Sequence, residues 1–374
     1  MKLFLHLLLA SPLLAAPVNV FIGTQTGKSG KSEGIYSTTF DPETGTLGEV
    51  KLAAKYQQPG FLIAHPTKRL IYCVGAPAAA YADGTSSVAA FKIVDNGMLE
   101  FLKDTSTGGK GACHLALDAT GSTLAIANYG DGSISTVRLD DGLPEKIASV
   151  RINPGSGPNP NRQESTHAHG AYFNSANKRL LVPDLGLDRV WSYGFSAENS
   201  TFDPAEGSPY VAEPGSGPRH LAFSADEQNA YLVNELDNTV TACAFDAGAG
   251  TFKSLQRIST LPMGWTGQST TAEIQIHPNG RFVYVSNRGH DSIAIFARDG
   301  KTGILTSKGQ VPCGGKIPRH FAIAPDGKWL ICAHQDSNTL STLPLDPETG
   351  ALGPAGPPVP CPNPICLLFA EWGE

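Results

Sequence analysis

Charged residues are scarce in this chain, at 17% of 374 residues, and they are not gathered into basic runs. The formal net charge is −6. The sequence therefore offers no basic patch of the kind that neutralises phosphates, and we expect no nucleic-acid partner. After residue 20, no apolar stretch reaches the roughly 18 residues that a membrane-spanning helix needs. We expect no membrane association either.

Familiar catalytic motifs are also missing. The chain has no GxSxG elbow, no HExxH, no Walker A loop and no Rossmann glycine pattern in a suitable context. Its seven cysteines show neither CxxC nor zinc-type spacing. These absences argue against a serine-elbow hydrolase, a zinc protease and a nucleotide-binding enzyme.

Glycine and proline are plentiful instead, with 41 and 28 residues. Both residue types favour tight turns, and frequent turns suit many short strands better than long helices. The apolar share of 41% is ample for a packed core. Composition thus predicts an all-β protein.

The N-terminal segment has the features of a secretory signal. Lys2 precedes an apolar stretch, and small residues follow it up to Ala16. A buried first strand is the alternative, but residues 18–22 already fill that role. We predict a signal peptide at residues 1–16 and a mature domain at residues 17–374. The protein would then be periplasmic or secreted, or cytoplasmic if the segment is not cleaved.

The cysteines leave the compartment open. Cys73, Cys243 and Cys332 fall inside apolar strand patterns and are interpreted as small core residues. Cys361 and Cys366 lie close together in a proline-rich tail and could pair in an exported protein. The sequence alone does not decide whether they do.

A repeated unit organises almost the whole chain. Each unit has an apolar strand, a polar turn, a second apolar strand and a polar loop, as in residues 321–323 leading to 329–332. An Asp-x-x-x-Gly turn often follows the third strand, as at residues 41–45 and 346–350. Units of about fifty residues are typical of four-stranded propeller blades. The equivalent turns lie at Pro66, Ala119, Ser175, Ala225, Pro278 and Pro325.

A seventh unit forms only when the two ends of the chain are joined. Residues 364–369 resemble the first strand of a unit, while residues 18–22 and 34–40 resemble its second and third strands. Sharing one blade between the ends closes the ring and removes exposed sheet edges. We therefore predict an all-β, seven-bladed β-propeller closed by N- and C-terminal strands in one blade. An open array of sheets is the alternative.

Polar residues collect where the first strand of each unit begins and the second strand ends. These positions lie at the same end of an antiparallel hairpin, and the first strands line the channel of a propeller. Both sets therefore surround one mouth of the channel, where ligands usually bind. The first-strand positions are Phe61, His114, Gly170, His220, Glu273, His320 and Cys366. The second-strand positions are Gly75, Tyr129, Asp184, Glu235, Arg288 and Gln335.

Charged groups in such a channel are costly unless they are paired or used. Arg219, Arg288 and Glu235 are the residues for which we favour a functional role. Two arginines at one mouth indicate an anionic ligand, because the guanidinium group binds carboxylate or phosphate through two hydrogen bonds.

Other polar residues near the mouth have structural alternatives. His114 and His320 are explained equally well as buried histidines that hold a neighbouring loop. Turn formation explains three asparagines better than ligand contact does: Asn128, Asn234 and Asn287.

A metal site at His167 and His169 is a further alternative, since the two histidines are close in sequence and Glu164 lies nearby. No matching set of carboxylates and histidines stands at equivalent positions of the repeat. We therefore predict no metal and no cofactor.

Six stretches of the chain resemble the lactonase family of seven-bladed β-propellers. They span nearly the whole predicted mature domain in the family's order, so the series is specific although each stretch alone is weak. The stretches are STHAHG (165–170), VPDLGLDRV (182–190), GPRHL (217–221), NELDNTV (234–240), VSNRGHDSI (285–293) and PRHF (318–321).

The resemblance implies a site that acts on lactone rings without metal or cofactor, as in bacterial 6-phosphogluconolactonases and fungal carboxy-cis,cis-muconate cyclases. It implies catalytic roles for four residues: His169, Arg219, Glu235 and Arg288. Further residues near the same mouth are candidates for substrate binding: His167, His220, Glu273, Arg319 and Gln335.

Hydrolysis of a sugar lactone, above all 6-phosphogluconolactone, is the implied activity. Arg219 and Arg288 would hold the phosphate or carboxylate and stabilise the oxyanion, and His169 or Glu235 would be the general base. The alternatives are a carboxy-muconate lactonising cyclase and a non-catalytic binding scaffold, because an exported protein fits a cytosolic substrate poorly. We expect a small anionic lactone as partner and a monomeric protein.

Overall fold

The computed structural model describes residues 17–27, 31–76, 83–204 and 209–370. The predicted signal peptide at residues 1–16 lies outside the described residues. The regular secondary structure of the described part of the chain is all β, apart from one short 3-10 turn at Asp95–Gly97. No helix in this part is long and apolar enough to cross a membrane.

Seven antiparallel sheets form the seven blades, numbered here from the first complete one. Each blade is given with its strands from the channel outward. Blade 1 contains Phe61–Ala64, Leu70–Gly75, Ser87–Ile93 and Leu99–Ser106. Blade 2 contains Ala112–Leu117, Thr123–Asn128, Ser133–Asp140 and Leu143–Arg151. Blade 3 contains Tyr172–Phe173, Arg179–Asp184, Arg189–Ser196, Thr201–Pro204 and Tyr210–Val211.

The second half of the ring repeats this arrangement. Blade 4 contains Pro218–Phe223, Asn229–Asn234, Thr239–Asp246 and Thr251–Ser259. Blade 5 contains Thr270–Ile276, Phe282–Arg288, Ser292–Arg298 and Leu305–Pro312. Blade 6 contains Pro318–Ile323, Trp329–His334, Thr339–Pro344 and Val359–Pro360. Blade 7 contains Pro364–Ala370, Val18–Thr24, Gly34–Asp41, Thr46–Leu47 and Lys51–Lys55.

Blade 7 confirms the predicted closure by the two chain ends. The C-terminal strand Pro364–Ala370 is the innermost strand and pairs antiparallel with Val18–Thr24. The pairing runs from Asn19 opposite Ala370 to Thr24 opposite Pro364, so nearly the whole length of both strands is hydrogen-bonded. This pairing protects the edges that an open array would expose.

The apolar core is divided into clusters that lie between neighbouring blades. Val20 and Ile22 of blade 7, for example, pack with Ile331 and Leu340 of blade 6. Burying an aliphatic side chain of this size stabilises a fold by about 1.5–3 kcal/mol. The apolar faces predicted by the repeat therefore join the blades into one ring.

Tyrosines on the second strands of blades 1, 4 and 5 bond each of these blades to the next. Their hydroxyls donate to glycine carbonyls in turns of the following blade: Tyr72 to Gly142 at 2.8 Å, Tyr231 to Gly303 at 2.9 Å and Tyr284 to Gly350 at 3.0 Å. The blades are therefore held by directed polar contacts as well as by apolar packing.

The predicted Asp-x-x-x-Gly turns supply some of these contacts. In the turn at residues 346–350, the amide of Gly350 donates to the carbonyl of Asp346 at 2.8 Å, and Gly350 has φ 72°. A Cβ atom at Gly350 would lie 2.3 Å from the ring of Phe282 in blade 5. Glycine is needed here both for the left-handed backbone and for the close approach of the next blade.

All seven cysteines are free thiols. Cys73, Cys243 and Cys332 are buried, as predicted. The suggested pairing of Cys361 with Cys366 is not present in the structure, because Cys361 packs between blades 6 and 7 and Cys366 between blades 7 and 1.

Candidate active site at the channel mouth

The first strands of several blades bring an aromatic and histidine cluster together in the channel, as the aligned positions predicted. The ring of Phe61 lies 4.2 Å from that of His114 and 5.8 Å from that of His320. The rings of His114 and His220 are 5.1 Å apart. Residues distant in sequence therefore meet because each occupies the same position in its own blade.

Glu235, at the end of the second strand of blade 4, lies at the centre of a cluster of cations. Its Oε2 is 3.0 Å from Nε of Arg219 and 3.0 Å from Nη2 of Arg288, while Oε1 is 2.6 Å from Nη2 of Arg162. Nε2 of His169 is 3.9 Å from Oε2. Burial by itself would raise the pKa of Glu235, but Arg288 and Arg219 outweigh it and hold that pKa well below its ordinary value.

Glu273, on the first strand of blade 5, has a different environment. Its Oε2 is 2.8 Å from Nδ1 of His220 and 3.8 Å from Nε2 of His320. Burial raises the pKa of Glu273 to about 8, with Arg219 opposing the shift. Burial, and then the nearby Arg219, lower the pKa of His220 well below its ordinary value and that of His320 to about 3. The two imidazoles are therefore neutral at pH 7.

A cavity of about 200 Å³ opens beside these groups. Its wall contains Gln25, Gln58, Gly60, Phe61, Ala112, Cys113, Arg219, His220, Arg319, His320, Gln335 and Ile365. Four of the predicted residues line the cavity: Arg219, Arg319, His220 and Gln335. Four others are not part of its wall: His169, Glu235, Arg288 and Glu273.

Arg319 is the cavity's uncompensated cation. Within the described residues its guanidinium has neither an ion pair nor a hydrogen bond, whereas Arg219 and Arg288 are both paired with Glu235. Burial and the neighbouring Arg219 and Arg288 lower the pKa of Arg319 to about 9. The group remains charged at pH 7, and an anion entering the cavity would relieve its repulsion from the other arginines.

The structural alternatives for two histidines are supported by the geometry. Nδ1 of His114 accepts from the amide of Ala171 at 3.3 Å, and Nδ1 of His320 accepts from the amide of Leu367 at 3.3 Å. Each histidine therefore holds the backbone of the next blade.

The three asparagines also bond within the fold. Asn128 donates to Ser135 at 3.2 Å, Asn234 to Thr239 at 2.9 Å and Asn287 to Ser292 at 3.2 Å. These contacts tie the second strand of each blade to the third, and none of the three residues lines the cavity.

His167 lies outside the cavity wall. Its Nδ1 is 2.8 Å from the carbonyl oxygen of Tyr129, its Nε2 is 3.2 Å from Oε1 of Glu164, and its ring stacks on that of Tyr129 at 4.5 Å. His169 turns instead toward Glu235. His167, His169 and Glu164 do not form a group of three ligand side chains close enough to share a metal in the described part of the chain.

Arg162 is the site residue that the strand-end alignment missed. It lies in the connection from blade 2 to blade 3, residues 152–171, the longest stretch between consecutive blades in the described chain. A turn places it there: the amides of Arg162 and Gln163 donate to the carbonyl of Asn159 at 3.2 and 2.7 Å. An arginine in an unusually long loop on the mouth side was the available signal, but its pairing with Glu235 depends on the closed ring.

Comparison with known proteins agrees with this architecture. The family model for the lactonase, 7-bladed beta-propeller, matches residues 19–369. A 6-phosphogluconolactonase of Bacillus subtilis is 34% identical over 93% of this chain and 97% of its own length.

Solved structures lead to the same family. A periplasmic gluconolactonase of Pseudomonas aeruginosa has a TM-score of 0.89 and 30% identity, covering 95% of this chain and 99% of its own. A putative 6-phosphogluconolactonase of Bacteroides fragilis has a TM-score of 0.86 and 30% identity, covering 96% and 100%. The fold, the aligned mouth residues and these matches show that the chain belongs to the lactonase family of seven-bladed β-propellers.

Proposed function

We propose that this protein hydrolyses an anionic sugar lactone, with 6-phosphogluconolactone the foremost candidate. The observation that carries the proposal is the guanidinium of Arg319, which has no ion pair among the described residues and lies in a cavity that also contains Arg219 and two neutral histidines. In the cluster beside the cavity, Arg162, Arg219, Arg288 and Arg319 stand against two carboxylates, Glu235 and Glu273, and the pKa of Glu273 is raised. This positive excess suits a phosphate or carboxylate. The relatives named as 6-phosphogluconolactonase and gluconolactonase support the substrate class.

Arg319 would be the main residue that binds the phosphate or carboxylate of the substrate. Arg219 and Arg288, which the resemblance made the anion holders, already pair with Glu235. Arg219 nevertheless reaches the cavity wall and would stabilise the oxyanion that forms on the lactone carbonyl. Arg288 would act by holding Glu235 and, through it, the orientation of Arg219.

The general base that fits the cavity best is His220. His169 and Glu235 were the expected candidates, but neither lines the cavity, and Glu235 is already engaged by three arginines. His220 lines the cavity and its Nδ1 lies 2.8 Å from Glu273. In the fraction of molecules in which Glu273 is ionised, its carboxylate would accept the Nδ1 proton and orient the ring. Nε2, which lies 3.2 Å from Nη1 of Arg219, would then take a proton from the attacking water once that guanidinium turns to the oxyanion. The same proton would then pass to the ring oxygen as the lactone C–O bond breaks.

The test measures kcat and KM for 6-phosphogluconolactone and for gluconolactone, which lacks the phosphate, with the uncatalysed rate subtracted. The Arg319→Ala variant should lose about 10- to 100-fold in kcat/KM on the phosphorylated lactone, because a hydrogen bond to a charged group is worth about 1.5–3 kcal/mol. Its effect on gluconolactone should be small. Arg281→Ala is the matched control, since Arg281 is exposed and pairs with Glu348.

Replacing the base should act differently. His220→Ala should lower kcat on both lactones by about 10²- to 10⁴-fold. Equal losses on both substrates in Arg319→Ala would remove Arg319 from phosphate binding. Wild-type protein inactive on both lactones would overturn the proposal, and turnover of a carboxymuconolactone alone would favour the lactonising alternative.

Export is a second part of the proposal. It is supported by the signal-like pattern of residues 1–16 and by a structural relative described as a periplasmic gluconolactonase. N-terminal sequencing of protein recovered outside the cytoplasm should find a mature chain that begins near residue 17. An intact Met1 in all of the folded protein would contradict export.

A further inference from the structure

A cluster of metal-ligand side chains lies away from the channel mouth. Cys313, Cys332 and His334 bring two thiols and one imidazole nitrogen within 4.8 Å of one another. All three residues are 0% exposed. It is the one group of this type in the described part of the chain.

Two backbone elements place these ligands. Cys332 and His334 are two residues apart on the second strand of blade 6, Trp329–His334, and therefore share a face of that strand. Cys313 starts the connection from blade 5 to blade 6. Its carbonyl accepts from Oγ of Ser341 at 2.6 Å and from Nε2 of His334 at 3.0 Å. The cluster is thus preorganised by strand pairing and by these hydrogen bonds.

The contacts of His334 fix the tautomer of its ring. Because Nε2 donates to the backbone carbonyl of Cys313, the lone pair of the ring lies on Nδ1, as when a carbonyl fixes the tautomer of a ligating histidine. The hydroxyl of Thr339 is 3.3 Å from Nδ1. That hydroxyl has a second partner in Oγ of Ser337 at 3.2 Å, so Nδ1 can be released without leaving Thr339 unsatisfied.

We propose that Cys313, Cys332 and His334 form a structural zinc site. Two thiolates balance the charge of a divalent cation, so the filled site would add no net charge to a fully buried region. Sulfur and nitrogen donors suit Zn²⁺, whereas Mg²⁺ and Ca²⁺ require oxygen ligands. The carbonyl oxygens of Asp291 and Gly315 accept from the Cys313 thiol at 3.1 and 3.4 Å. They would lose this donor when the thiol ionises, and one of them would have to turn toward the ion to serve as its fourth ligand.

A metal in this site would rigidify the connection between blades 5 and 6, which leads to the cavity residue Arg319. Residues 313–317 run directly into Pro318 and Arg319 at the start of the first strand of blade 6. A metal that binds Cys313 to the second strand would hold this connection against blade 6. The zinc site does not depend on the proposed lactonase activity, and its test has a separate readout.

The experiment titrates the full-length, reduced protein with Co²⁺ and then with Zn²⁺. Binding should give one equivalent of Co²⁺ per chain, with the near-ultraviolet absorption of cobalt–thiolate bonds and the visible bands of a tetrahedral ion. Zn²⁺ should abolish this spectrum and raise Tm, because a ligand that binds only the folded state stabilises it. Cys313→Ala and Cys332→Ala should lose both effects, whereas Cys243→Ala, which removes a buried thiol from another blade, should retain them.

Two results would overturn the proposal. One is that the reduced wild-type protein shows neither a cobalt–thiolate spectrum nor a zinc-dependent rise in Tm. This result is obtained without any variant and so does not depend on whether the variants fold. The other is a Cys313–Cys332 disulfide in the native protein, detected by peptide mass mapping, because the two sulfurs would then form a covalent cross-link and could not bind a metal as thiolates.

Discussion

Two buried glutamates in the same channel have opposite electrostatic states. Glu235 is paired with Arg162, Arg219 and Arg288, and its pKa is held well below the ordinary value. Glu273 faces two neutral histidines, and its pKa is raised to about 8. Both side chains are almost fully enclosed, at 4% and 9% exposed.

The difference shows that burial alone does not set the charge of a channel residue. Burial raises the pKa of both carboxyls, and the number of guanidinium groups in direct contact decides whether that effect prevails. Paired titratable groups whose environments separate their pKa values are a common basis for dividing catalytic roles. Here Glu235 is suited to hold arginines in place, and Glu273 is suited to exchange a proton with His220.

The largest expected effect is the loss of stability in Glu235→Gln. Removing this carboxylate leaves three arginines facing one another in a buried site, and breaking a buried ion pair costs about 3–5 kcal/mol. Urea denaturation at pH 7 measures the free energy of unfolding. Glu348→Gln is the control, because Glu348 pairs with Arg281 at 3.0 Å but is 81% exposed, and its loss should stay below about 1 kcal/mol. Equal losses in the two variants would show that the cluster adds no more than a surface pair.

For Glu273→Gln we expect a trend with pH rather than a loss at one pH. The folded protein retains the Glu273 proton up to about pH 8, whereas the ordinary pKa is 4.5. The stability contributed by that proton is complete below pH 4.5 and is lost as the pH rises through 8. The variant cannot ionise, so its stability relative to wild type should increase over this range, by up to about 1.4 kcal/mol per pH unit.

Urea denaturation of both proteins at pH 5, 7 and 9 measures this difference. Glu348→Gln again serves as the control, since Glu348 is 81% exposed and lies outside the channel cluster. Parallel pH profiles for wild type and Glu273→Gln would mean that Glu273 is ionised throughout, which would remove the contrast with Glu235.

The smallest effect is expected for Arg162→Gln. The Arg162 side chain is 37% exposed, so water screens its attraction to Glu235, and Arg219 and Arg288 remain in place. We expect a loss of about 1 kcal/mol or less in the free energy of unfolding. Arg257→Gln is a matched control, because Arg257 is 43% exposed and pairs with Asp237. A loss as large as that of Glu235→Gln would show that the loop arginine dominates the cluster.

The sequence was most informative about the ring. The turn spacing and the joined chain ends predicted seven blades with a composite closing blade, and the pairing of Val18–Thr24 with Pro364–Ala370 confirms it. Alignment within the repeat also predicted that Phe61, His114, His220 and His320 would meet in the channel. Position in a repeat translates directly into position around an axis, so these residues could be located without knowledge of any contact.

The repeat did not indicate which arginine lacks a carboxylate partner among the described residues and can therefore bind an anion. Arg219, Arg288 and Arg319 all stand near strand ends at the mouth, but two of them are paired with Glu235 and one is not. That outcome depends on side-chain directions and on Arg162, which enters from the connection at residues 152–171. Likewise, Cys313 and Cys332 have no recognisable ligand spacing, and they meet only because strands from one blade pack on the connection from another.

The amino-acid sequence by itself thus determined the number of blades, their closure and the polar character of one channel mouth. These properties follow from local periodicity and turn chemistry, which are repeated along the chain. Only the tertiary structure decided the charge states of Glu235 and Glu273 and the exposure of Arg319 to the cavity. Each of these depends on groups from different blades approaching within a few ångströms, where Coulomb energies and desolvation change steeply with distance.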